Sequence, residues 1–135
     1  MLENNIVAIV TGLAFILFIW TAVRVSRARG QYGVAAPATS GHDTFERHFR
    51  VQMNTLESLV LFVPSLWLFA SYWGQHLAAL LGLVWIGGRV VYTLAYVKNP
   101  GSRSLGFMIS AGAVVLLILG FILGAARMLT VTGGS

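Results

Sequence analysis

The chain has 135 residues, of which 57% are hydrophobic and only 10% charged, against about 25% charged in an ordinary soluble domain. This excludes a soluble globular domain, and the absence of cysteine excludes a disulfide framework, a thiolate metal site and a cysteine nucleophile. The net charge of +5 is not the footprint of a nucleic-acid binder, because the basic residues gather at the ends of apolar stretches rather than in one soluble patch.

Four stretches approach the roughly 20 apolar residues that a membrane span requires. The composition therefore predicts an all-α integral membrane four-helix bundle, one domain over residues 1–135, with spans at about 5–25, 45–73, 76–97 and 103–127. Glu3 precedes the first span, where a signal peptide would carry positive charge. Arg24, Arg27 and Arg29 are expected to end that span, and Gly30, Gly33, Pro37 and Gly41 to break the chain into a loop. Asp43 followed by Glu46 predicts a capping box at the start of the second helix. Gly74-Gln75 predicts a short turn, Lys98-Asn99-Pro100-Gly101 a break, and residues 130–135 a frayed tail. The distribution of Arg and Lys predicts both basic loops in the cytoplasm and both termini on the opposite side.

Polar residues inside this framework are the informative ones, because charge within a span is costly and commonly functional. On the second helix Arg47, Arg50, Asn54 and Glu57 stand at i, i+3, i+7 and i+10. At about 100° per residue they fall within roughly an 80° arc. On the third helix Arg89, Tyr92 and Tyr96 share a face, and the fourth begins with Arg103-Ser104. With Arg24, these groups are expected to meet near the cytoplasmic boundary. Several arginines suit a ligand with carboxylates. Glu57 suits an ammonium group or an arginine, and the pair Arg103 and Ser104 would stabilise a thiolate. A plain reading stands beside this one: interfacial tyrosines, a salt-bridge cluster with Arg89 paired to a carboxylate such as Glu57, and basic anchors. His42, His48 and His76 are too scattered for a metal set. Trp20, Trp67, Trp73 and Trp85 read as lipid-facing or interfacial, and Gly120-x-x-x-Gly124 permits close helix packing.

The pattern Glu46-Arg47-x-x-Arg50-x-x-x-Asn54-x-x-Glu57, followed by Gly88-Arg89-Val90-Val91-Tyr92-Thr93-Leu94-Ala95-Tyr96, Pro100 and Arg103-Ser104, resembles the membrane-associated proteins in eicosanoid and glutathione metabolism (MAPEG). The second block is most similar to the microsomal prostaglandin E synthase branch. Met53 and Tyr92 depart from that branch, which has an arginine and a histidine there, and Pro64 lies about one turn later than the usual proline. The resemblance implies a homotrimer that binds glutathione between subunits, with no metal. It implies Arg24, Asn54, Glu57, Tyr92, Tyr96 and Arg103 as glutathione ligands, with Arg103 and Ser104 acting on the thiol and Arg47, Arg50 and Arg89 partly structural. The implied function is a glutathione transferase or peroxidase acting on lipophilic electrophiles or lipid hydroperoxides, in a bacterial inner membrane or the endoplasmic reticulum. A prostaglandin-type isomerase and a non-enzymatic lipid-binding scaffold are the alternatives.

Overall fold

A computed structural model describes residues 4–133. Its elements are α1 (Asn5–Tyr32), α2 (Asp43–Trp73), α3 (Gln75–Lys98), a 3₁₀ turn (Pro100–Ser102) and α4 (Ser104–Thr132). All four helices are long and apolar enough to cross a membrane. Large apolar side chains on their outer faces, such as Ile9, Ile16, Val60, Leu119 and Leu123, are more than half exposed, as a lipid-facing surface requires. The fold is thus all-helical among the described residues, with four span-capable helices.

The helix ends differ from expectation in instructive ways. Arg24, Arg27 and Arg29 do not end α1, because arginine is a good helix former. The helix runs through Gly30 and stops at Gly33, whose φ of 69° supplies the left-handed cap that glycine adopts without strain. Asp43 is the first residue of α2 rather than its cap. His42 Nδ1 accepts the Thr44 N–H at 3.1 Å instead, and Glu46 reaches back to the Gly41 N–H at 3.4 Å. Gln75 already belongs to α3, so Gly74, with φ of 94°, makes the turn almost alone. Residues 130–132 continue α4 rather than fraying, since no glycine or proline interrupts the helix after Gly124 until Gly133; positions 134–135 lie outside the described residues.

Cross-links fix the topology. Gln75 Oε1 accepts the Ile6 N–H at 3.2 Å, and Trp73 Nε1 donates to Gly120 O at 2.7 Å. The start of α1, the α2–α3 turn and the later part of α4 thus share one end of the bundle. At the other end Arg47 donates to Val97 O at 3.2 Å, tying the start of α2 to the end of α3. Most of the charged residues lie toward this second end.

Helices in lipid associate through close packing and hydrogen bonds rather than a hydrophobic drive, and small residues bring these helices together. A side chain on Gly106 would strike the backbone of Tyr92, and one on Gly88 would come within 2.7 Å of the Ser110 nitrogen, so α3 and α4 cross backbone to backbone. Gly120 and Gly124 admit Phe69 and Tyr72 of α2 in the same way, as the Gly-x-x-x-Gly pattern led us to expect.

The tryptophans are not simply lipid-facing. Trp85 is fully buried, stacks on Phe62 at 4.1 Å and donates to Ser58 Oγ at 2.9 Å. Trp67 donates to Thr11 Oγ1 at 2.9 Å. An indole N–H inside a span needs an acceptor, and a small hydroxyl on a neighbouring helix provides one.

Gly106→Leu should force α3 from α4 and lower stability by about 1–3 kcal/mol, the usual cost of overpacking. Gly112→Leu, on the same helix but with nothing within 4 Å of its virtual Cβ, should be close to neutral. Thermal denaturation of the two detergent-purified variants checks the difference.

Candidate functional site

The site grows from the buried guanidinium of Arg89. This side chain is 1% exposed. It lies nine residues before the end of α3, or about 14 Å along the helix axis at 1.5 Å per residue. Its NH2 donates to Asn54 Oδ1 at 2.9 Å and to Thr55 Oγ1 at 2.8 Å, both on α2; its NH1 donates to Ser110 Oγ on α4 at 3.4 Å. The cation also lies 4.3 Å from the ring centroid of Tyr92. No carboxylate is among these partners, so the expected pairing with Glu57 is not formed. An amide, two hydroxyls and a ring face take its place. These bonds join α3 to α2 and α4, and Arg47 joins α2 to α3 through the Val97 carbonyl.

Around this anchor the polar ends of three helices converge. A cavity of about 760 Å³ is lined by Arg50 and Asn54 of α2, Tyr92 and Tyr96 of α3, and Arg103, Ser104, Phe107 and Met108 at the start of α4. The two tyrosine rings stack at 5.5 Å, and the Arg103 guanidinium lies 6.0 Å from the Tyr96 centroid. Among the described residues, Arg50, Glu57, Arg103, Ser104 and both phenols have no hydrogen-bond or ion-pair partner through their side chains. Their donors and acceptors remain free for a ligand.

Two further hollows adjoin. One of about 490 Å³ lies beneath the α1–α2 loop, between Thr39, Ser40, Glu46, Arg50 and Glu57. The loop above it is held by Arg29, which donates to Ala38 O at 2.6 Å. The other, about 370 Å³, runs between α2 and α4 along an apolar wall of Leu61, Phe107, Ala111, Val114 and Ile118, with Arg89 and Ser110 also on its lining. Asn54 borders all three hollows, and Glu57 borders two.

Of the residues expected at the site, Asn54, Tyr92, Tyr96, Arg103 and Ser104 line the same cavity, and Glu57 sits on the adjoining two. Arg24 does not join them in this chain. Its guanidinium lies 5.1 Å from the Trp20 centroid of its own helix, and its buried Nε has no partner. Arg50 was expected to be partly structural, yet it makes no protein hydrogen bond and faces two of the hollows. Thr55, Ser110, Phe107 and Met108 escaped the sequence reading. The signal available for Ser110 was a small hydroxyl in an otherwise apolar turn; Thr55 was hidden among the polar residues around it, and nothing local marked Phe107 or Met108.

The model of the MAPEG family matches residues 7–123. The chain belongs to the MAPEG family. It is 44% identical over 116 residues to an uncharacterized protein of Synechocystis sp., covering 86% of this chain and 85% of that one. It is 41% identical over 106 residues to microsomal glutathione S-transferase 2 of Homo sapiens, covering 78% of this chain and 72% of that protein. Leukotriene C4 synthase of Cavia porcellus is 35% identical over 116 residues, covering 86% and 77%. Membership and the four span-capable helices together make this MAPEG chain a multi-pass integral membrane protein.

Thr55→Val keeps the shape of the side chain but removes the acceptor of a buried charged donor, which should cost about 1–3 kcal/mol. Thr21→Val is the comparison: Thr21 is equally buried but bonds only Phe18 O of its own helix, so its loss should cost less. Equal shifts in melting temperature would show that Thr55 acts through burial and not through Arg89.

Proposed function

We propose that the chain is a membrane glutathione transferase that binds glutathione at the α2–α3–α4 cavity and presents its sulfur as a thiolate to lipophilic acceptors. The observation that carries this reading is the convergence of Arg50, Tyr92, Tyr96, Arg103 and Ser104, whose side-chain polar groups are unspent, with Asn54 on one cavity that adjoins a mainly apolar groove. The relatives named as glutathione S-transferase and leukotriene C4 synthase support it. Met53 and Tyr92 depart from the prostaglandin synthase pattern, so conjugation is favoured over isomerisation.

Glutathione carries two carboxylates, an ammonium group and a thiol. The forked guanidinium of Arg50 suits a carboxylate, Glu57 suits the ammonium, and Asn54 and the phenols suit the peptide groups. At the thiol, the positive charge of Arg103 favours the ionised sulfur, and the Ser104 hydroxyl donates a hydrogen bond to it. The homotrimer implied by the family resemblance would bring Arg24 to glutathione from the neighbouring subunit. That assembly also accounts for a half-buried arginine that stands away from the cavity of its own chain.

The second reactant is a lipophilic electrophile or lipid hydroperoxide dissolved in the bilayer. The groove between α2 and α4 would guide it to the thiolate. Rate then comes from holding the two reactants together and from stabilising charge at the sulfur. The cavity faces the cytoplasm, where the basic loops lie, and both termini face away. Such an enzyme would serve in detoxification of reactive lipids, as transferase and as peroxidase.

Arg103→Ala should lower glutathione-dependent conjugation by about 10²-fold or more, the range for losing one key electrostatic contact, while the oligomer stays intact. Calorimetry on the same variant should still find glutathione, bound more weakly. Parental turnover in Arg103→Ala would remove Arg103 from the chemistry. Binding without turnover in the parental chain would favour a scaffold that only binds.

A further inference from the structure

We propose that Arg89, through the N–H of NH1 that the protein leaves unspent, stabilises negative charge developing on an acceptor oxygen in the groove between α2 and α4. The inference rests on the glutathione reading above and assigns a second charged group to the same reaction.

A guanidinium has five N–H donors. Arg89 uses three of them, two on Asn54 and Thr55 and one on Ser110. The Nε–H and one N–H of NH1 remain, and Nε is buried without a partner. A guanidinium that served only to join helices would be expected to spend its donors and to sit beside a carboxylate, since a lone buried charge is costly. Glu57, on the same face of α2, borders the groove yet makes no ion pair with Arg89. The cation is therefore held by three helices without an ion-pair partner among the described residues, on the lining of a mainly apolar groove that Asn54, Glu57, Ser58 and Ser110 also border. Fixed positive charge in a water-poor site acts most strongly where negative charge appears only during reaction.

The acceptors that create such charge are those attacked with loss of an oxygen leaving group, above all lipid hydroperoxides. The thiolate sulfur attacks the terminal oxygen of the hydroperoxide; an S–O bond forms and the O–O bond breaks. Sulfur is oxidised by two electrons and the peroxide is reduced by two. The electron pair of the O–O bond goes to the inner oxygen, which leaves as an alkoxide and takes a proton from water to become the alcohol. A second glutathione thiol then displaces water from the sulfenic acid, giving the disulfide. The alkoxide is strongly basic, and its formation is the step that Arg89 assists. Chloride, by contrast, is weakly basic, and in an aryl chloride activated by nitro groups the charge of the addition intermediate is spread over the ring and both nitro groups, so no single basic oxygen carries it.

The test compares two acceptors on one protein: cumene hydroperoxide and 1-chloro-2,4-dinitrobenzene, both with saturating glutathione. In Arg89→Gln the ratio of hydroperoxide reduction to chloride displacement should fall by about 10²-fold, the range for losing one oxyanion contact. Arg89→Lys should restore part of it. A merely structural arginine would lower both rates by one common factor, and that result overturns the proposal. If neither variant assembles, the parental protein decides: its enhancement over free thiolate must be larger for the hydroperoxide than for the chloride, and equal enhancements overturn the proposal. A parental protein with no glutathione-dependent turnover of either acceptor sinks the glutathione reading itself. Parental turnover with equal losses in the variants sinks only the role of Arg89.

Discussion

A guanidinium buried about two and a half turns below the end of a membrane-spanning helix constrains everything around it. Moving such a charge out of water costs several kcal/mol even after relaxation, so the bundle must offer acceptors at fixed positions. Asn54 and Thr55 supply them from α2, and Ser110 supplies one from α4. These contacts set the rotation and register of α2, α3 and α4 relative to one another. The glycines at 88 and 106 make the arrangement possible. Without a side chain there, α3 and α4 approach closely enough for Arg89 to reach a serine on the facing helix.

Once Arg89 has fixed that register, the remaining polar groups fall into two sets. Arg29, Arg47 and Arg89 spend donors on backbone carbonyls or small polar side chains and hold the structure together. Arg50, Arg103, Ser104, Glu57 and the two phenols spend nothing on the protein and border the hollows. Asn54 belongs to both sets: its carbonyl is committed to Arg89, and it lies where the three hollows meet. The division explains how one short polar stretch of α2 can be scaffold and ligand surface at once. It also explains why the polar cavity and the apolar groove are neighbours. They flank the same turn of α2, one toward the water-facing end and one along the span.

Much of this was legible in the sequence, and for identifiable reasons. Spans are visible because lipid demands long apolar runs. The arc from Arg47 to Glu57 and the shared face of Arg89, Tyr92 and Tyr96 follow from helical periodicity alone; Arg50, Asn54, Glu57, Arg89, Tyr92 and Tyr96 border the hollows, whereas Arg47 bonds the Val97 carbonyl. The partners of Arg89 were not legible, because which hydroxyl faces a cation depends on how two helices rotate against each other. Trp85 illustrates the same limit. As a lone tryptophan in a span it looked interfacial, but it lies in the core against Phe62 and Ser58. Arg24 was placed at the site by motif, whereas within one chain it stands apart over Trp20. The end of α1 was set short because Arg24, Arg27 and Arg29 were taken as terminators, whereas the helix stops where Gly33 adopts a left-handed φ; the tail expected to fray from residue 130 stays helical to Thr132.

The account depends on a cationic site that ionises a bound thiol next to lipid. The most direct measurement is the ultraviolet difference absorption of thiolate when glutathione is titrated into the detergent-purified protein at neutral pH. The account predicts a saturable thiolate signal, with S-methylglutathione, which has no ionisable sulfur, competing for the site but giving none. Saturable binding by calorimetry with no thiolate absorption would contradict it, and would leave the α2–α3–α4 cavity as a binding site without the chemistry.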